Sequence, residues 1–259
     1  MTRLRHRPAL DVRVEIRGEL HRDDAEYARA RALELTAALG PDAHAARIRL
    51  THTRCREVSR PAVAQAEIEL DGVGTVRAQL AAGTMREAVD LALGTLGGRA
   101  ARLREQGDIG LAAAHDSAYR PQYAPRPLAE RRIARRKPVV LARRAPDEAV
   151  REMLALDRRF HLFSDALTGQ DSLVHRRPGG DGFRLVRAHS TARFGGSALP
   201  LTESPHPAPR LDLSEAARQL WLTCWPFVFY ADPGDGRGRV LYRRYDGHYG
   251  LITPVAEAH

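Results

Sequence analysis

Residues 227–252 read FVFYADPGDGRGRVLYRRYDGHYGLI, and residues 160–186 read FHLFSDALTGQDSLVHRRPGGDGFRLV. Laid over one another at an offset of 67 (227 − 160), Phe160 falls on Phe227, Asp165 on Asp232, Gly169 on Gly236 and Arg176-Arg177 on Arg243-Arg244. The same offset places Asp147-Glu148-Ala149-Val150-Arg151 on Ser214-Glu215-Ala216-Ala217-Arg218. One extra residue in the first copy's turn, at 178–182, moves the last strand to an offset of 66, with Phe183 on Tyr249, Leu185 on Leu251 and Val186 on Ile252. A spacing kept over so long a stretch marks an internal duplication. Each copy reads as a strand, a helix and three short strands, β-α-β-β-β, over residues 138–189 and 209–259. Residues 190–208 between them are rich in Gly, Ser and Pro and read as a flexible tether.

Upstream the order is β-α-β-β-β-α over residues 1–108. Val12, Val14 and Ile16 alternate with Arg13, Glu15 and Arg17, the period of a strand. Asp23 and Glu26 form a capping box for a helix that stops at Gly40-Pro41. Strands follow at 46–53, 62–70 and 73–81, the last two around the Asp71-Gly72 hairpin signal. Thr84 and Glu87 cap a second helix carrying Val89, Leu93, Leu96 and Leu103. The fold class is therefore α+β: a sheet with two helices on one face, followed by two small tandem domains. The sheet's open face would show Arg13, Arg17, Arg47, Arg49 and Arg77. Residues 109–137 read as a basic, proline-containing linker that ends in Arg131-Arg132-Ile133-Ala134-Arg135-Arg136-Lys137, either a short helix or an extended run.

The net charge of +9 is unevenly distributed. Lys+Arg minus Asp+Glu gives 18 − 16 for residues 1–108, 9 − 2 for 109–146, 8 − 8 for 147–204 and 6 − 6 for 205–259. The excess thus sits in the middle, where like charges crowd together and repel unless an anion screens them. A phosphate backbone does so, with counterion release supplying affinity. Lys137 is the only lysine, so arginine usage as such carries little functional weight.

Catalytic signatures are missing: no GxxxxGK[ST], no GxGxxG after a strand, no HExxH and no GxSxG. Gly179-Gly180-Asp181-Gly182 and Gly234-Asp235-Gly236 occupy hairpin positions in both copies. His161 and His175 stand where the second copy has Val228 and Tyr242, which speaks against a metal role, and Cys55 and Cys224 lack ligand or disulfide spacing. No apolar run reaches membrane-spanning length, and no apolar stretch follows the basic start at 1–8. The chain reads as a cytoplasmic binding protein, not an enzyme, with no cofactor or metal. Trp221, Cys224 and Trp225 read as core of the second copy's helix.

Leu241-Tyr242-Arg243-Arg244-Tyr245-Asp246-Gly247-His248-Tyr249-Gly250-Leu251-Ile252-Thr253-Pro254 resembles the YRR-x-DG-x-YGLI-x-P signature that closes long-form ribosome hibernation-promoting factors. The stretch from Phe163 to Gly169 is similar to that family's F-x-N-A-E-T-G, and Ala88-Val89-Asp90-Leu91-Ala92 to the start of its second helix. The resemblance covers nearly the whole chain. It implies an N-terminal domain seated in the messenger and transfer RNA path of the small ribosomal subunit, contacting 16S rRNA and ribosomal proteins, blocking translation and protecting idle ribosomes. It carries over Arg31 of the first helix and Arg102 and Arg104 of the second, with Arg99 beside them, as rRNA contacts. Arg47, Arg49 and Arg77 of the sheet face and Arg131, Arg132, Arg135, Arg136 and Lys137 of the linker complete the expected RNA-binding set. Glu19 and Thr95 stand where the family has basic residues, and Gly97-Gly98 weakens the second helix.

In the family a single C-terminal domain pairs with its counterpart on another ribosome. Two copies in one chain favour pairing within the molecule over a homodimer, through Val174, Phe183 and Leu185 against Leu241, Tyr242, Tyr249 and Leu251, so that ribosomes are silenced singly. The alternatives are a hibernation factor that does join ribosomes, a transcription modulator bound to other nucleic acid, and a scaffold whose basic linker is merely solvated.

Overall fold

The computed structural model describes residues 11–106, 119–178, 182–190 and 195–256. The basic start at 1–8, the first part of the expected linker (109–118), the turn residues 179–181 and tether residues 191–194 lie outside the described residues. Two compact units result, Met1–Gln122 with Ala155–Asp157 and Tyr123–Leu154 with Arg158–His259.

The first unit is a four-stranded sheet with strands in sequence order: β1 (Asp11–Arg17), β2 (Ala43–His52), β3 (Ala62–Leu70) and β4 (Gly74–Ala82). β1 runs parallel to β2, and the rest of the sheet is antiparallel. A parallel pair needs a crossover, and α1 (Arg22–Leu39) supplies it. α1 begins one residue before the expected cap: His21 occupies the N-cap with no side-chain bond, and Asp23 and Asp24 lie in the first turn, facing the positive end of the helix dipole. Gly40, at φ +81°, ends it. α2 (Met85–Gln106) opens as expected, with the Glu87 amide donating to Thr84 Oγ1 at 3.3 Å. The core holds Ala28, Ala32, Ile48, Leu50, Ile68, Val76, Val89 and Leu96. Small alanines on facing positions let helices and sheet approach closely.

The second unit contains two sheets. The first copy supplies β5 (Ile133–Val140), β6 (Arg143–Arg144), α3 (Pro146–Ala155), β7 (Phe160–Asp165), β8 (Asp171–Arg176) and β9 (Phe183–Arg187). The second supplies β10 (Leu201–Glu203), α4 (Leu213–Thr223), β11 (Phe227–Ala231), β12 (Gly238–Arg243) and β13 (Tyr249–Val255). The strand orders are β10-β9-β8-β7-β6 and β11-β12-β13-β5. Each copy's leading strand therefore lies in the other copy's sheet, β5 parallel to β13 and β10 parallel to β9. The registers match through the repeat: Leu251 pairs with Arg136, and Leu185 with Glu203.

Two expectations change with this exchange. The end of the presumed linker is a strand, because its extended run finds a sheet edge at β13. The presumed tether contains β10, continued by Ser204 N–H to Leu185 O at 2.7 Å and Ala208 N–H to Arg187 O at 2.8 Å. A three-residue strand shows no periodicity, so local pattern could not reveal it.

The two sheets also meet face to face. Leu173 and Ala188 of the first copy pack with Ala208, Phe227, Phe229 and Val240 of the second, flanked by Phe160, Leu162, Val186, Tyr242 and Ile252. Phe160 meets its own repeat partner Phe227 at 4.6 Å between ring centroids, and the reciprocal contacts Phe160–Tyr242 (6.2 Å) and Phe227–His175 (5.5 Å) flank it. The other faces of the strands are buried separately. Leu241, Tyr249 and Leu251 lie with Ala216 and Leu220 of α4.

Gly250 in the second copy's YGLI stretch has a packing reason: a Cβ there would stand 2.2 Å from Cζ of Tyr242. Gly250→Ala should cost about 1–3 kcal/mol by overpacking, read as a lower urea midpoint. Gly94→Ala in α2, with nothing within 4 Å of its Cβ position, should instead stabilise by about 1 kcal/mol through helix propensity.

Candidate nucleic-acid interface

On the first unit's open sheet face, strand register decides which arginines are available. Arg47 lies opposite Glu67, and Glu67 opposite Arg77, while Glu15 lies opposite Arg49. The result is a ladder of ion pairs: Arg49–Glu15 at 2.8 Å, Arg77–Glu67 at 2.7 Å, Arg47–Glu15 at 3.6 Å and Arg13–Asp11 at 2.7 Å. The hydrogen bond from Arg49, then its charge, holds the Glu15 carboxyl below the usual carboxylate range. A phosphate at this face would have to compete with carboxylates already in place.

The helix arginines differ from one another. Arg31 pairs with Glu34 and, at 3.1 Å, with Asp90. Arg104 donates to Leu39 O at 2.6 Å and to Asp42 at 2.8 Å. Arg99 is 6% exposed and donates to Arg77 O at 2.7 Å, so it serves the fold and is no surface cation. Arg102 is exposed and has no ion pair among the described residues.

In the second unit the basic run becomes an edge. β5 ends the order β11-β12-β13-β5, and Arg135, Arg136 and Lys137 on it and Arg132 just before it are all exposed. Gly250, Leu251 and Ile252 pair in turn with Arg135, Arg136 and Lys137, so successive cations point to alternate faces. Arg131 turns back, donating to Arg126 O at 2.8 Å and lying over the Tyr249 ring at 5.9 Å. An edge strand this charged also resists pairing with another chain's strand.

The chain before β5 is bound to the hairpin between β12 and β13. Tyr123 stacks on Tyr245 at 5.1 Å and receives Arg243 at 4.9 Å and Arg159 at 5.7 Å. Ala124 N–H donates to Tyr245 O at 2.9 Å. Gly247, at φ +82°, leaves no room for a Cβ, which would lie 2.8 Å from Ala124 O and from Arg126 Cβ. Arg244 pairs with Asp246 at 2.6 Å. The YRR-x-DG stretch is thus a turn that fastens its own linker, with its arginines engaged inside the chain.

Of the residues expected to join the copies, Tyr242 lies in the cluster between the sheets. Tyr249, Leu251, Phe183 and Leu185 meet the other copy through backbone pairing with Ile133, Arg136, Leu201 and Glu203. Val174 and Leu241 are buried, but the face-to-face contact runs through their strand neighbours Leu173 and Val240. A shift of one residue along a strand exchanges its faces. The signal in the sequence was the unbroken apolar run Phe227–Ala231, wholly buried in the structure, which calls for cover on both faces. Trp221 (45% exposed), Trp225 (42%) and Cys224 were expected in the core and instead stand exposed at the end of α4, because Ala216 and Leu220 fill the sheet-facing positions.

His161 is buried beside Arg158 (3.0 Å) and Glu152 (3.1 Å). No three His, Cys, Asp or Glu among the described residues could hold a metal, and no described helix is long and apolar enough to cross a membrane. Burial, then the Arg158 charge, pushes the His161 imidazole down to about 4, partly offset by Glu152. A neutral ring is favoured in the fold, while the unfolded ring titrates near 6.5. The stability it contributes is therefore whole above about pH 6.5 and declines as pH falls toward about 4. Thermal midpoints measured across that window should drop, and His161→Gln should flatten the slope.

Residues 129–183 and 201–251 match the family described as sigma 54 modulation/S30EA ribosomal protein C terminus. Each match includes a leading strand, β5 or β10, that lies in the other segment's sheet. The chain is also similar to the dormancy associated translation inhibitor of Mycobacterium tuberculosis, in both strain CDC 1551/Oshkosh and strain ATCC 25618/H37Rv. It is 35% identical over 231 residues, covering 82% of this chain and 77% of that protein. A solved ribosomal subunit interface protein from Coxiella burnetii overlaps 38% of this chain and 98% of that one, at 13% identity and a TM-score of 0.30.

Proposed function

The chain belongs to the sigma 54 modulation/S30EA family of ribosome-associated proteins, and from that premise we propose that it is a hibernation factor that idles ribosomes one at a time. Its N-terminal unit occupies the messenger and transfer RNA path of the small subunit in the cytoplasm. Translation stops by occlusion, with no catalytic step. The C-terminal copies close on each other within the chain, so no counterpart on a second ribosome is needed.

The observation that carries this reading is the reciprocal strand exchange, β5 into one sheet and β10 into the other. A domain of some fifty residues buries too little surface to stand easily alone. In relatives with one copy, a second molecule would supply the missing cover. Here the second copy is tethered, at an effective concentration of order millimolar. Sucrose-gradient sedimentation of ribosomes with purified protein should show it comigrating with single ribosomes. A disome peak that requires both copies overturns the reading.

RNA footing falls on exposed cations that stand outside the sheet's glutamate ladder. Arg102, Arg132 just before β5, and Arg135 and Lys137 within it are favoured over the glutamate-paired Arg47, Arg49 and Arg77. Arg132→Gln, Arg135→Gln and Lys137→Gln together should lower the slope of log affinity against log salt by about 2–3, at roughly 0.7–0.9 per phosphate contact. Arg47→Gln with Arg77→Gln should leave ribosome co-sedimentation within about twofold, since Glu15 and Glu67 already hold both guanidiniums. The reverse ranking would move the footing to the sheet face.

A further inference from the structure

The exchanged strands occupy equivalent places in the two sheets, yet the places differ chemically. In the first copy's sheet, Arg187 is fully buried. Its Nε donates to Asp165 Oδ2 at 2.9 Å, and its Nη1 donates to Glu203 of the incoming β10. The Arg187 and Asp165 side chains have no solvent exposure, and Glu203 keeps little. One guanidinium thus bridges a carboxylate of the sheet and a carboxylate of the guest strand.

The repeat offsets identify the equivalent groups in the second copy's sheet: Asp232 for Asp165, Thr253 for Arg187 and Arg136 of β5 for Glu203. No bridging guanidinium comes from β13 there. Asp232 instead pairs with Arg239 of β12 at 2.6 Å, and Arg136 of β5 is exposed. The guest in one sheet is acidic at this position, and the guest in the other is basic.

The geometry points to Glu203 as an address: the Asp165–Arg187 socket of the first copy accepts the acid-bearing β10 and rejects β5 with Arg136. This rests on the reading that the copies pair within one chain, and it supplies the reason that like copies do not pair between chains. Pairing two first copies would set Arg136 against the buried Arg187, one cation against another, in the place that the Glu203 carboxylate fills. Pairing two second copies would withdraw β10 and break the Arg187–Glu203 half of the bridge. A buried charge stripped of its partner is strongly destabilising, and specificity built on such a penalty needs no added attraction.

Full-length variants test the address without reference to ribosomes. Glu203→Arg should expose the stretch after β10, read as cleavage by trypsin at Arg210 at least tenfold faster than in the parent chain. Glu203→Arg with Arg187→Thr reproduces the Asp232, Thr253 and Arg136 pattern and should return cleavage to within about twofold of the parent. Glu203→Arg with Arg136→Glu exchanges the two addresses, which favours first-copy pairing between molecules, and should turn a monomer into a dimer in analytical sedimentation. The proposal is overturned if Glu203→Arg is as resistant as the parent, if Arg187→Thr gives no rescue, or if the address exchange leaves a monomer. Ribosome co-sedimentation is scored separately: its loss in the parent chain would remove the hibernation reading and leave the address to stand on protease and mass data.

Discussion

A short sheet that is apolar on both faces cannot face water on either, and the second unit is organised around that fact. β11 is buried at every position, and the strands beside it place Val240 and Leu241, or Leu251 and Ile252, on opposite sides. A helix covers one face; the other face of each sheet is covered by the sheet of the other copy. Even the edges are shared, since each sheet accepts its neighbour's leading strand. Neither copy is a complete folding unit, and duplication within one chain places the needed partner always at hand.

The same constraint reassigns the residues that make the family recognisable. Tyr242 presses on Gly250, Arg244 closes the turn through Asp246, and Gly247 admits the returning linker. These positions maintain a hairpin and a clasp. The folded surface presents an edge strand bearing three exposed cations, Arg135, Arg136 and Lys137, and a first unit whose sheet arginines are already matched by glutamates. A high arginine count is therefore a poor guide to an RNA surface. Opposing strands decide which guanidinium is available, and Arg99 shows that an arginine on a helix can be part of the interior.

The interface between the copies has both apolar and ionic layers. Phe160 against Phe227 supplies area and ring contact near the pseudo-twofold axis, where the repeat is nearly symmetric. Away from it the symmetry breaks, with Arg187 and Glu203 on one side and Thr253 and Arg136 on the other. Apolar contact supplies attraction to any similar surface; the buried ion bridge restricts which surface is accepted.

The α+β order of the first unit, the Thr84 cap and the Asp71-Gly72 hairpin could be read from the chain alone, because each is written in residues close together, and the duplication because its two copies keep a constant spacing. The sequence also carried the family signature and located the excess charge. The folded chain was needed to show that the basic run is a strand, that the tether contains another, and that the copies trade them. It alone showed that Leu173 and Val240 join the sheets while Val174 and Leu241 face the other way, and that Trp221 and Trp225 stand outside the core. Strand pairing joins backbone groups that look alike in every residue, so periodicity reveals that a strand exists and leaves its neighbour open. The neighbour is chosen by the burial of faces and charges contributed from distant parts of the chain.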